Sequence, residues 1–167
     1  MLHTHYYITF RAEELEKDSS NPEAKYIAYY CLLFAVEKGI KIPTKDNQFL
    51  YSLMEKLEKD RVTYGIASIE SEKVNICENF AFTVFNNADE EDRSGSPSGA
   101  TAKAFYAAVI FFDILEQFGP LGEETLEKRK YAKWRAAELV KAAKEGRAPA
   151  PPPALEVSLI HLKCLHN

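Results

Sequence analysis

Cysteine is scarce: the 167 residues hold three, Cys31, Cys77 and Cys164, far apart and odd in number. That count excludes a disulfide framework and fits a reducing compartment. No signal peptide is expected at the N-terminus. No apolar run approaches the roughly 20 residues that span a bilayer. The longest, Phe105–Leu115, is too short and carries Asp113. A surplus of positive charge is missing too. The 21 Lys and Arg stand against 25 Asp and Glu, a net charge of −4 with neutral histidine, without the basic excess of a dedicated nucleic-acid binder. The expectation is a cytoplasmic chain that meets membranes only indirectly.

Catalytic signatures are absent. There is no Cys-x-x-Cys, no His-Glu-x-x-His and no Gly-x-Ser-x-Gly. The four histidines, His3, His5, His161 and His166, sit at the ends of the chain, where a scaffolded metal site is not expected. Gly95–Gly99 fails as a phosphate loop, because Ala100 and Thr101 follow where Lys-Ser or Lys-Thr is required. No metal, no cofactor and no enzymatic activity are expected. Asp89, Glu90, Glu91 and Asp92 read as solvated or capping loop acids, since acid–base work needs two carboxylates in different environments.

What remains is helical. Up to residue 145, glycine and proline lie at segment ends. The periodicity predicts helices over about 5–18 (Phe10, Ala12, Leu15), from Asn21-Pro22 to Gly39, 46–64, 68–88, 100–118 and 123–145. Asn21 reads as an N-cap with Pro22 at the first helical position, and Gly39 as a C′ glycine. The second helix is apolar on several sides, as suits a helix gripped between neighbours. The third carries the stripe Leu50, Leu53, Met54, Leu57, and the fifth carries Phe105, Ala108, Phe112, Leu115. Cys31 and Cys77 fall on apolar faces and read as small buried hydrophobes.

The fold class is therefore all-α, with two sets of three helices: a first unit over 5–64 and a second over 65–146. A Pro-rich linker and apolar tail follow over 147–167, the linker stiff and extended. The basic run Lys128-Arg129-Lys130, with Lys133 and Arg135, makes no single stripe. Lys130 and Trp134 share a face, and Trp134 is either a partner-facing anchor or a buried one. Grooves between amphipathic helices suit a partner's helix.

Several motifs in unbroken order carry a resemblance. They are Ala28-Tyr29-Tyr30-Cys31, Gly39-Ile40-Lys41-Ile42, Phe49-Leu50-x-x-Leu53-Met54-x-x-Leu57-Glu58, Ala88-Asp89-x-x-Asp92-Arg93, Phe105-Tyr106-Ala107-Ala108, Phe118-Gly119 and Arg129-Lys130-Tyr131-Ala132-x-Trp134-x-Ala136. Together they resemble the vacuolar-trafficking-associated regulators, the LYST-interacting protein five family, from about Phe10 to Pro153. The resemblance implies two tandem MIT (microtubule-interacting and trafficking) three-helix bundles. These bind helical tails of ESCRT-III subunits, among them charged multivesicular body proteins one and five. It also implies a separate C-terminal domain that dimerises and stimulates the Vps-four AAA ATPase. That domain has no counterpart in Ala154–Asn167, so the chain is expected to be a monomer that binds tails without stimulating the ATPase. Endosomal sorting and peripheral recruitment to endosomes follow from the same likeness.

In the resembled family the partner helix lies on the third helix of a module and packs across to the second. The matching residues are Leu50, Met54 and Leu57, with Tyr30 or Phe34 as walls; alternatively the leucines are core and Met54 alone reaches the groove. The second module offers Phe105, Phe112, Tyr131 and Trp134 with Lys130 and Lys133. The competing readings are a generic helical peptide-binding scaffold with another client, and a small helical hydrolase or transferase, which the missing catalytic signatures disfavour.

Overall fold

Six α-helices and two short 3₁₀ segments make up the regular structure, and no strand occurs among the described residues. The computed structural model describes residues 2–41, 48–95 and 97–153, and side chains from Tyr7 onward within these ranges. The helices are α1 (Leu2–Lys17), α2 (Ala24–Ile40), α3 (Gln48–Thr63), α4 (Lys73–Arg93), α5 (Gly99–Ile114) and α6 (Glu123–Glu145). No helix among the described residues is long and apolar enough to cross a membrane. The all-α class expected from the periodicity is the class found.

The chain forms two compact units, Met1–Glu78 and Asn79–Asn167. The sequence reading puts the change of module at 64/65, where Gly65 does turn the chain with φ +66°. The packing divides later, inside α4. Cys77 in its second turn belongs with Cys31 and Tyr30 of α2, whose ionisation it influences.

In the first unit α1 packs on α2 through Ile8, Ala12 and Leu15, an i, i+4, i+7 row. Phe10 falls off that row and is 41% exposed, so it is not part of the stripe that the sequence suggests. Asn21 is not the N-cap: its side chain accepts from the Glu23 N–H at 2.9 Å and its carbonyl from the Ala24 N–H at 3.1 Å, a turn before the helix, whose N-cap is Glu23. α2 is buried nearly all round, from Ala24 and Ile27 to Ala35 and Val36.

Gly39 is not the C′ glycine expected. It lies inside α2 without positive φ. Its missing side chain has another use: a Cβ there would stand 2.5 Å from Leu50 Cδ2. The glycine lets α3 approach closely enough for Leu50 to press on α2. Facing α1, Lys56 bridges Glu16 and Asp60, each at 2.6 Å. Burial pulls the ammonium pKa down, but the hydrogen bonds to Asp60 and Glu16 outweigh it and push the group up to about 12.

The second unit is built on aromatics. Phe85 of α4 packs with Phe105 and Phe112 of α5, and with Tyr131 of α6, at centroid distances of 5.9 to 6.0 Å. Lys128 lies 4.9 Å from the Phe85 ring centre. Ser98 caps α5 by accepting from Ala100 and Thr101 N–H, and Thr101 accepts from Ser98 N–H at 2.8 Å. α6 ends at Gly146, which takes φ +65° as a left-handed C-terminal cap.

The acids of the presumed loop after residue 88 are helical instead. Asp92 is 1% exposed and pairs with the equally buried Arg135. Residues 147–153 do not leave the unit as a free linker. Their backbone is held against α6 and the end of α4 by Glu138, Arg135 and Arg93.

Candidate partner-binding grooves

In the first unit, the contact between Gly39 and Leu50 fixes which side of α3 faces α2, and Lys56 with Glu16 fixes the side that faces α1. Met54 lies one turn beyond Leu50 on the α2 side and is 43% exposed. Tyr51, Met54, Glu58 and Val62, spaced i, i+3, i+7, i+11, form one exposed row along α3. Ile40, 64% exposed at the end of α2, adds apolar surface. Leu50 is half-buried, and Leu57 belongs to the core.

Tyr30 and Phe34, expected as possible walls, offer no surface. Both are buried, and Lys38 covers Phe34 with its ammonium 4.7 Å from the ring centre. Burial also pushes the Tyr30 hydroxyl pKa well up. α2 is the central helix of its unit, so residues on most of its faces are consumed by packing. In this unit Met54 is thus the expected site residue that the structure leaves open, on one exposed α3 row with Tyr51 and Val62. The i+3 and i+4 spacing of the outer α3 row could have revealed these neighbours.

In the second unit, Tyr106 of α5 and Ala137, Val140, Lys141, Lys144 and Glu145 of α6 line a depression of about 380 Å³. The α6 residues Ala137, Val140, Lys141 and Lys144 recur at i, i+3, i+4, i+7, so they share one face. Its floor is apolar and its rim mainly basic. Lys133 and Lys130 lie on the same outer side of α6 and are exposed. Sequence reasoning missed Tyr106, Val140 and Lys144, although the heptad-like spacing was there to be read.

Phe105, Phe112 and Tyr131, expected on the partner face, are core instead. Phe105 is fully buried and packs on Tyr131 at 6.0 Å. Burial is also the main cause that pushes the Tyr131 hydroxyl pKa upward, with Asp89 adding to it. The unit needs these rings to fill the space between three helices. Trp134 is 41% exposed, so it is not the buried anchor. It stands 5.8 Å from Tyr131 on its own helix, and neither it nor Lys133 lines the Tyr106 depression. The expected second site therefore keeps Lys130, Lys133 and Trp134 on the exposed side of α6 and loses Phe105, Phe112 and Tyr131 to the core.

Among the described residues no cluster of metal-ligating side chains occurs. Cys31 and Cys77 are buried thiols, and burial raises both pKa values, that of Cys77 to about 12.

Comparison with known proteins decides the family: the model of the family described as "Vta1 like" matches residues 7–145. This chain belongs to the Vta1-like family. It is 45% identical over 146 residues to the homolog of mammalian LYST-interacting protein 5 from Arabidopsis thaliana, covering 84% of this chain and 33% of that protein. It is 35% identical over 140 residues to the human vacuolar protein sorting-associated protein VTA1 homolog, covering 80% and 45%. The Dictyostelium discoideum VTA1 homolog is 34% identical over 137 residues, covering 78% and 25%. The chain thus spans a quarter to under half of the length of these Vta1-like relatives. An NMR structure described as the Vta1–Vps60 complex superposes with a TM-score of 0.65 at 14% identity, covering 86% of this chain and 99% of that one. At that identity the likeness concerns the fold, and the helical, MIT-like architecture of Vta1-like proteins is the architecture seen here.

Proposed function

We propose that this chain is a non-enzymatic adaptor that binds ESCRT-III tails in the multivesicular-body pathway. The observation that carries the reading is open apolar surface on one helix of each unit, an exposed row on α3 and a depression on α6. The first follows Met54 on α3 beside α2, and the second follows Ala137, Val140 and Lys144 on α6 beside α5. Both are surfaces on which a partner's amphipathic helix can lie. Their surroundings differ: Glu55 and Glu58 flank the first, whereas Lys141 and Lys144 rim the second. The two grooves should therefore prefer different tails.

The relatives' names support the pathway, and the fold-level neighbour was solved with Vps60. Charged multivesicular body proteins one and five are the proposed partners. The two compact units, dividing at Glu78/Asn79, are proposed as the two modules. The site residues proposed are Leu50, Met54 and Leu57 in the first, with Leu57 acting through the core, and Lys130, Lys133 and Trp134 on the flanks of the second. Regulation of the Vps-four ATPase is proposed for relatives that carry the C-terminal domain. Localisation is proposed to be cytoplasmic, with peripheral recruitment to endosomes.

The test is a Met54→Asp variant titrated with a charged-multivesicular-body-protein-one tail. The exposed site should tolerate the change, leaving helicity intact while binding falls at least tenfold. Normal binding by the folded variant rejects the first groove.

A further inference from the structure

The segment Arg147–Pro153 reads Arg-Ala-Pro-Ala-Pro-Pro-Pro. Proline fixes φ near −65° and restricts the residue before it to extended conformations. With four prolines in seven residues, the composition favours polyproline II, with three residues per turn. Pro149, Pro152 and Pro153 are half-buried, while Ala148, Ala150 and Pro151 are exposed. One side of the segment rests on the protein.

The polar contacts keep a three-residue spacing. Arg135 Nη1 donates to the Ala150 carbonyl at 2.6 Å, and Arg93 Nη1 donates to the Pro153 carbonyl at 2.9 Å. These carbonyls are three residues apart, one polyproline II turn, and the arginines come from α6 and the end of α4. Proline has no N–H, so between residues 149 and 153 only Ala150 can donate. That N–H goes to Glu138 Oε1 at 3.1 Å. Glu138 also holds Arg147 through two hydrogen bonds, at 2.7 and 3.1 Å. Arg135 itself is fixed by Asp92, and Arg93 by Asp89 at 2.7 Å. Two donors held by folded neighbours, and the Glu138 carboxylate as acceptor, thus match a backbone that offers acceptors and a single donor.

We infer that the α4/α6 face of the second unit is a binding site for extended, proline-rich peptide, with residues 147–153 as its resident ligand. A peptide of the same pattern in trans binds the same cradle once the resident segment is released. The site lies on the other flank of α6 from the Tyr106 groove, and it stands independently of the ESCRT-III reading.

The test uses the full chain and a fluorescent peptide of sequence Arg-Ala-Pro-Ala-Pro-Pro-Pro. An Arg147→Ala/Ala150→Pro variant removes the ion pair to Glu138 and the one N–H without touching the helices. A tethered segment acts at millimolar effective concentration, so the unaltered chain should resist the peptide. The variant should bind it at least tenfold more tightly, and adding Arg93→Gln should return binding to the level of the unaltered chain. Equal binding by the two chains, including none by either, overturns the inference. A second readout avoids substitution: the Ala150 amide of the unaltered chain should exchange at least tenfold more slowly than in the free peptide, and equal rates overturn it as well.

Discussion

Arg135 holds Asp92 through two hydrogen bonds, Nε to Oδ2 at 2.6 Å and Nη2 to Oδ1 at 2.7 Å, with both side chains essentially out of water. The pair joins α6 to α4 inside an otherwise apolar, aromatic unit. Desolvating two charges is expensive, and bidentate geometry is what offsets it. Removing one partner leaves the other charged and buried. Asp92→Asn should therefore destabilise the second unit by about 3–5 kcal/mol. An Asp92→Leu/Arg135→Met double variant should recover most of that loss. Urea unfolding followed through Trp134, the only tryptophan, reads the second unit directly. A loss below about 1 kcal/mol for Asp92→Asn would contradict the view of a coupled buried pair.

The two described cysteines should be silent in the native state. Thiolate is the reactive form, and burial keeps Cys77 near 12 and Cys31 well above its ordinary value. Both neutral thiols favour the folded state at pH below the ordinary value near 9, and that contribution is lost as pH climbs toward 12. Alkylation at pH 8, read peptide by peptide with mass spectrometry, should label Cys31 and Cys77 only after denaturant is added. Rapid native labelling of either would show that its helix face is open.

Gly39→Ala separates two effects. Alanine favours a helix interior by up to about 1 kcal/mol over glycine. The new Cβ meets the end of the Leu50 side chain, which is half-buried and can swing outward. Stability should change by less than about 1 kcal/mol, with Leu50 displaced in the spectrum of its methyl groups. A loss above 2 kcal/mol would mean that Leu50 has nowhere to go.

Glu138 makes the proline-rich segment sensitive to acid. Its carboxyl, ordinarily near 4.5, is lowered to about 2 by hydrogen bonds from the Arg147 side chain and the Ala150 N–H. Because the folded value lies below the unfolded one, docking is complete above about 4.5 and fades as pH falls toward 2. The Ala150 amide resonance should follow that titration in the unaltered chain. Arg147→Ala should shift its midpoint toward 4.5. An unchanged midpoint would detach Glu138 from the segment.

Much of this was legible in the sequence. Helices read from spacing, because Phe105, Ala108, Phe112 and Leu115, at i, i+3, i+7 and i+10, share a face of a helix but not of a strand. What could not be read depends on partners distant in sequence. Asp92 sits in a run of four acids and looked solvated, yet Arg135 lies 43 positions away in the chain. Gly39 looked like a terminator because nothing nearby reveals Leu50. Phe105 and Tyr131 looked like a partner surface, but an aromatic face becomes core when a third helix covers it. The proline-rich segment looked detached because its contacts are made by backbone carbonyls, which carry no signature in side-chain pattern.

The most direct measurement is a competition titration with two ESCRT-III tails. The chain is saturated with a charged-multivesicular-body-protein-one tail, and a tail of charged multivesicular body protein five is then added while heat is recorded. Each single helix should bind near the micromolar range, about 7–8 kcal/mol. If the Met54 groove and the Tyr106 groove are separate sites, the second tail should bind with unchanged affinity, and Met54→Asp should remove only one of the two events. Mutual exclusion of the tails, or no binding of either, would contradict a two-groove adaptor.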